Sequence, residues 1–271
     1  MNDMTAPPKL RCEIRNGVGL LTLCDPTTLN AASIDMLIEL QRAFEAFVAE
    51  DSVRSIMITA EGKGFCSGAS MTPEAAKARG TFKGPLPGLI KHCNPLLNSI
   101  RKAPKPIVAA VNGVAAGFGV SLALACDIII AADTAYFLLA FRRIGMVPDG
   151  GASWLLPRLI GKARTMELLL LGEKLPAQTA LEWGLINRCV PAERLMEVSH
   201  ELAQTLASGP SSLGVTRQLV WQALDAEWHA QIEAEAYAQG DAMRSTDGQE
   251  GMRAFREKRP PDFAGHQGSV P

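Results

Sequence analysis

The stretch from Ile107 to Ala132 is the most hydrophobic in the chain and constrains the fold more than any other. A membrane span needs about 20 largely uninterrupted apolar residues. Here Asn112, Gly113, Gly117 and Gly119 interrupt the run, and Asp127 comes before its end. The pattern is that of a buried strand over Ile107–Val111, a glycine turn, and a buried helix reaching Cys126. Further strands are predicted over 128–131 and 136–139. Buried strands alternating with buried helices give an α/β layered core.

The same alternation is present elsewhere. Strand-like pieces at 11–15 and 18–23 meet at Asn16-Gly17, a strong turn signal. Ser33 is placed to cap an amphipathic helix from Ile34 to about Glu50, with Leu37, Leu40, Phe44 and Phe47 on one side. A short buried strand over 55–59 leads into EGKGFCSGAS, and residues 72–88, without a clear period, read as a mobile loop. A helix over about 90–102 stops before Pro104 and Pro106. Helices near 151–160, 162–171 and 176–183 are separated by Gly161, Gly172 and Gly184, which suit helix C-termini. From about Val198 the chain is helical, so it divides into a core over 8–197 and a C-terminal helical region over 198–271.

A net charge of −1 gives no general reason to expect nucleic acid or an acidic membrane as partner, and any bound anion must be held locally. The densest basic cluster is Arg256-Glu257-Lys258-Arg259. Six cysteines and four histidines are scattered without metal-ligand spacing, so neither a metal site nor a Cys/His nucleophile pair is expected. The N-terminus lacks the pattern of a signal peptide, and reduced thiols in a cytoplasm are the simplest reading.

Chemistry concentrates in three places. In Gly62 to Ala69, small residues let a ligand approach backbone N–H groups, although a plain connecting turn has the same composition. Asn112 to Gly119 stands where a helix N-terminus offers free N–H groups to a developing negative oxygen. A dinucleotide turn would need a third glycine where Leu122 stands, so that reading fails. Asp149, between Pro148 and Gly150, precedes an apolar helix with Trp154, Leu155 and Leu156. It is placed either to cap that helix or, with a carboxylate near apolar side chains, to take a proton.

The segments LNAASIDML, GKGFCSGAS, KPIVAAVNGVAAGFGVSLALACDIIIA and IGMVPDGGASWLLPRLIGKARTMELLLLGEKLPAQTALEWGLINRCV resemble, in order and spacing, the enoyl-CoA hydratase/isomerase (crotonase) superfamily. The tail STDGQEGMRAFREKRPPDF is similar to the family's ending. The resemblance implies a crotonase-like ββα spiral whose C-terminal helices pack subunits into a trimer or a dimer of trimers. It also implies an acyl-CoA substrate and no separate metal or redox cofactor.

By motif position, the backbone N–H groups of Ala69 and Phe118 would form an oxyanion hole for the thioester enolate. The adenine would lie near Ser67 and Ala69, and the pantetheine near Leu29 and Ala31. Thr28, Gly68, Ser70, Met71, Gly117 and Phe141 complete the implied binding surface. Thr27-Thr28 stands where relatives often carry Lys or Arg, and Ser70 where many carry Asp, so Lys258 or Arg259 of the tail, from this chain or a neighbouring subunit, is expected to meet the CoA phosphates. Ser121 and Phe141 occupy the positions of the two hydratase glutamates. Asp149 matches the working aspartate of certain isomerases and dehalogenases, and FLLAFRRIGMVPDGGASWLLPR is most similar to isomerases such as those of the phenylacetate pathway. The expected activity is therefore enoyl-CoA isomerisation through Asp149. Alternatives are a hydratase using Asp149 and a water held by Ser121, and a silent acyl-CoA binder. Phe82, Phe118, Leu139, Phe141 and Trp154 are expected to shape an apolar acyl pocket, and Trp221 and Trp228 to share one helical face.

Overall fold

The Asn16-Gly17 turn forms as predicted, with both residues left-handed at φ 52° and 76°. It folds strand β1 (Leu10–Arg15) back antiparallel on β2 (Val18–Leu23). The computed structural model describes residues 8–70 and 86–263. Met71, Phe82 and nearly all of the expected 72–88 loop lie outside the described residues. Helix α1 (Ile34–Ala49) starts at Ser33, whose hydroxyl accepts the Met36 N–H at 3.2 Å, and it buries Met36, Leu37, Leu40, Phe44 and Phe47.

Three strand pairs then follow the same path. They are β3 (Ser55–Ala60) with β4 (Gly64–Cys66), β5 (Ile107–Val111) with β6 (Val114–Ala116), and β7 (Ile128–Ala132) with β8 (Tyr136–Leu138). Two short strands come later, β9 (Lys174–Pro176) and β10 (Arg188–Val190). The first member of each pair joins a six-stranded sheet of order β1-β2-β3-β5-β7-β10, and the second joins a four-stranded sheet of order β4-β6-β8-β9. Helix α2 (Asn94–Lys102) precedes β5, and α3 (Phe118–Leu124) links β6 to β7. This is the expected spiral of strand–strand–helix turns. Within the large sheet β2, β3, β5, β7 and β10 run parallel. The interior of β5 is wholly buried, as its uninterrupted apolar run requires.

Both glycine loops contain strands, β4 and β6, that the sequence pattern does not show. Three residues are too few to display a period of two. Their glycines serve close packing as much as turning. A Cβ on Gly113 would lie 2.1 Å from the Lys63 carbonyl oxygen, and one on Gly119 2.1 Å from that of Cys66. No larger residue fits where these two backbones meet. Strand β9, equally short, is likewise absent from the sequence expectation.

Helices α4 (Ala152–Leu159), α5 (Gly161–Leu171) and α6 (Ala177–Glu182) match the three predicted segments. Helix α7 (Leu195–Ala207) lies across β3 and β5, and the buried Ser55 hydroxyl donates to its Ala203 carbonyl at 2.7 Å. Three helices complete the described chain: α8 (Ser212–Ala223), α9 (Trp228–Arg244) and α10 (Thr246–Glu257). Trp221 and Trp228 therefore sit on different helices, not one face, because the chain breaks after Ala223. The Trp221 ring N–H donates to Asp127 at 3.1 Å, whereas Trp228 is 72% exposed.

A buried polar joint ties α8 to the core. Arg217 pairs with Asp127 at 2.6 Å and donates to the carbonyls of Ile100, Arg101 and Ala103 at the end of α2. Asp127 also accepts the Ile107 N–H at 2.8 Å, linking the starts of β5 and β7.

The tail is fixed at the N-terminal end of β3, where Arg54 donates to the Phe263 carbonyl at 2.8 Å. Buried Glu250 clamps it further, accepting from Arg259 at 2.7 Å, from the Asp262 N–H at 3.1 Å, and from Arg253. Arg259, the Asp262 N–H and Arg253 hold the Glu250 carboxyl far below the usual carboxylate range. Depressed this way, its contribution is complete above its unfolded pKa of about 4.3 and is lost as pH falls through the folded value. Hydrogen exchange should show the Asp262 amide protected in wild type at pH 5 and 7, and less protected at both in Glu250→Ala, which lacks the acceptor. Equal protection in the variant would assign the clamp elsewhere.

Candidate active site

The site assembles at the C-terminal ends of the parallel strands, where three sequence-distant segments meet. Pro26–Thr28 forms one 3-10 turn, after which Leu29 and Asn30 take left-handed conformations at φ 55° and 57°. Asn30, wholly buried, holds this geometry: its amide donates to the carbonyls of Glu61 and Gly64 at 2.9 and 2.7 Å, and its oxygen accepts the Asp25 N–H at 2.8 Å. Sequence reasoning places Asn30 within LNAASIDML without giving it a role. The available signal is an Asn flanked by small residues next to a turn.

Residues 28–32 then run alongside 67–70. Ser67 donates its N–H to Leu29 and its hydroxyl to the Thr28 carbonyl, at 3.0 and 2.9 Å. Ala32 gives its N–H to Gly68 at 2.7 Å and accepts that of Ser70 at 3.1 Å, forming a parallel bridge with Ala69. In such a bridge Ala32 uses both of its backbone groups, and the N–H of Ala69 faces the other way. Gly117 packs against the neighbouring Gly68. A Cβ on Gly68 would lie 2.9 Å from the Ala116 oxygen, and one on Gly117 3.8 Å from the Gly68 Cα.

Gly117, at φ 50°, turns the chain into α3, and Phe118 is the first helical residue. Its N–H has no partner four residues earlier within the helix. Among the described residues, no backbone acceptor takes the N–H of Ala69 or Phe118. Ala69 itself is exposed, while the Phe118 side chain is buried. Two unspent donors thus stand on adjoining backbone turns, at the mouth of the cleft.

Cys66 lies beside them but is no nucleophile, since burial pushes its thiol up to about 11. Phe141, half-buried on the turn Ala140–Ile144, sets its ring 3.8 Å from where a Gly117 Cβ would be. Leu139 is wholly buried behind it.

Asp149 is tied to α3 through its main chain. The Ser121 hydroxyl, one helical turn after Phe118, donates to the Asp149 carbonyl at 3.1 Å. The capping role for Asp149 does not hold: Gly151 occupies the N-cap of α4, and Asp149 meets the Ala152 N–H through its main-chain carbonyl, at 3.1 Å. A Pro-Asp-Gly-Gly sequence moves the helix start past the aspartate, because Gly150 and Gly151 are both left-handed.

Trp154 lines a cavity of about 330 Å³ beside Gly150 and Gly151, with Leu97, Asn98, Arg101 and Trp221. Arg101 lies between the two tryptophan rings, 4.9 and 5.3 Å from their centres, so this wall is cationic as well as apolar. Exposed Lys258, at the left-handed C-cap of α10, belongs to the tail region anchored at the opposite end of the sheet.

Comparison with known proteins places the chain among acyl-CoA enzymes. The chain belongs to the enoyl-CoA hydratase/isomerase family, whose model matches residues 13–266. It is 39% identical to the 1,2-epoxyphenylacetyl-CoA isomerase of Escherichia coli K12, over 93% of this chain and 97% of that protein. It is 40% identical to a Rhodobacter capsulatus protein named as a probable enoyl-CoA hydratase, over 94% and 98%. The crystal structure of an enoyl-CoA hydratase subunit I from Geobacillus kaustophilus superposes with a TM-score of 0.87 at 34% identity, covering 96% of this chain and 99% of that one.

Proposed function

We propose that this chain is an enoyl-CoA isomerase that moves a proton within its substrate through a thioester enolate. The N–H groups of Ala69 and Phe118 hold the enolate oxygen, and Asp149 removes the proton from one carbon and returns it to another. One observation carries the choice of isomerase. The two hydratase glutamate positions hold Phe141, which has no proton to exchange, and Ser121, whose hydroxyl is already given to the Asp149 carbonyl. In this reading Asp149 is the carboxylate that carries the proton. The second reading, hydration by Asp149 and a water, has the hydratase-named relative in its favour.

In this reading Thr28, Leu29, Ala31, Ser67, Gly68, Ser70, Gly117 and Phe141 bind the CoA thioester, as does Met71, which lies outside the described residues. No metal or redox group takes part, and the enzyme works in the cytoplasm. The CoA phosphates meet Lys258 of a neighbouring subunit, since the tail of the same chain is held at the far end of the sheet. The assembly is a trimer or a dimer of trimers, built by the C-terminal region over 198–271 on the core over 8–197. Phe255, Trp228 and Tyr237, each more than 70% exposed on α9 and α10, supply apolar surface for it.

The test is incubation of the purified enzyme with 2-enoyl- and 3-enoyl-CoA thioesters, following double-bond position and water addition separately. Interconversion of the two with little 3-hydroxyacyl product is expected. Predominant hydration would transfer the assignment to the second reading, and tight binding of both without turnover would leave an acyl-CoA binder.

A further inference from the structure

Ser121 is wholly buried in the middle of α3 and takes no part in the chemistry described above. Two contacts hold it in place. Its hydroxyl donates to the Asp149 carbonyl at 3.1 Å. The same carbonyl accepts the Ala152 N–H at 3.1 Å, so it is braced from α3 and α4 together. Gly150 presses directly on the serine: at φ 58°, a Cβ there would lie 2.7 Å from the Ser121 Cβ, 2.8 Å from its Oγ and 3.3 Å from Leu97 Cδ1.

We propose that Ser121 is a positioning residue, which fixes the Asp149 carboxylate by gripping its main chain, and that Gly150 closes over the hydroxyl so that it cannot hold a reacting water. The inference rests on Asp149 as proton carrier. A serine hydroxyl has one proton to give, and here it is committed to a carbonyl. The side-chain-free Gly150 brings the turn close enough for that bond, and leaves no gap between turn and helix for a water with the two to four partners it needs. The carboxylate is one residue's geometry away from this anchor. Any slackening of the carbonyl is therefore transmitted to the distance over which the proton moves.

The test is a double-mutant cycle of Ser121→Ala and Asp149→Asn on the isomerisation assay, with melting temperatures and pH profiles. The Ala152 N–H continues to serve the carbonyl, so Ser121→Ala is expected to fold with nearly the wild-type melting temperature. It should lose roughly 10–100-fold in kcat, the scale of a misplacement near 1 Å, with KM within about twofold. The pKa read from kcat/KM should shift, as a merely structural role would not require. Combined with Asp149→Asn, the serine change should add nothing further, because it acts only through the aspartate. Wild-type kcat in Ser121→Ala, or losses that multiply in the double variant, would overturn the positioning role. Hydration by Ser121→Ala no faster than by wild type is expected; hydration lost from a measurable wild-type level would show that the hydroxyl held water. Isomerisation surviving in Asp149→Asn would instead sink the underlying reading, whatever the serine variant does.

Discussion

Replacement of Asp149 by Asn should slow isomerisation by about 10²–10⁴-fold while leaving the fold almost untouched. The variant keeps the volume and the main-chain carbonyl that bonds Ser121 and Ala152, and it removes the group that carries the proton. Because Gly151 caps α4, no helix cap is lost with the carboxylate. Positioned acid–base groups contribute about 10²–10⁴-fold in rate, or roughly 3–5 kcal/mol of barrier at 1.36 kcal/mol per tenfold. The loss should fall on kcat, since substrate binding is assigned to backbone along Thr28–Ala32 and Ser67–Ser70. A variant with lowered melting temperature and largely preserved kcat would mark Asp149 as structural.

The largest stability effect is expected at Arg217, far from that chemistry. Its guanidinium is 4% exposed, pairs with Asp127, and serves three carbonyls at the end of α2. Arg217→Met leaves a largely buried carboxylate without its cation and takes a donor from each of those carbonyls, of which Ile100 keeps the Ala103 N–H. Breaking such a pair costs about 3–5 kcal/mol, and for a chain of this size the melting temperature should fall on the order of 10 °C. Burial pushes the Asp127 carboxyl above its usual range even with Arg217 pulling it down. Without Arg217 it rises further, so the variant's deficit should shrink as pH falls from 7 toward 5 and Asp127 takes up a proton. The double variant Asp127→Asn/Arg217→Met should recover more than half of the loss, because no charge is left buried. Additive losses would show that the pairing is not the source.

How much of this is legible in the sequence follows from which contacts are local. The Asn16-Gly17 hairpin, the Ser33 cap and the apolar face of α1 are short-range features, and each forms as the residues predict. The buried strand, glycine turn and helix over Ile107–Leu124 follow from hydrophobicity alone. Strands β4 and β6 escape such a reading because each has three residues whose partners lie on distant segments, β4 with β6 and β6 with β8. Asn30 escapes it for a similar reason, since what makes it structural is a pair of carbonyls on another loop. The capping expectation for Asp149 fails on two successive left-handed glycines, a backbone choice that composition permits without dictating. The motif order identifies the family's chemistry, but motifs do not show that Ser121 and Gly150 interlock. That contact depends on the α3 and α4 helices lying side by side.

The central claim, that two backbone N–H groups and Asp149 act on one thioester, is tested most directly by a crystal structure of Asp149→Asn with a 3-enoyl-CoA bound. The thioester oxygen should lie within about 3 Å of both the Ala69 and Phe118 nitrogens, with the substituted side chain at position 149 against the carbon next to the carbonyl. A thioester oxygen bound away from those two nitrogens, or a side chain at position 149 turned from the substrate, would contradict it.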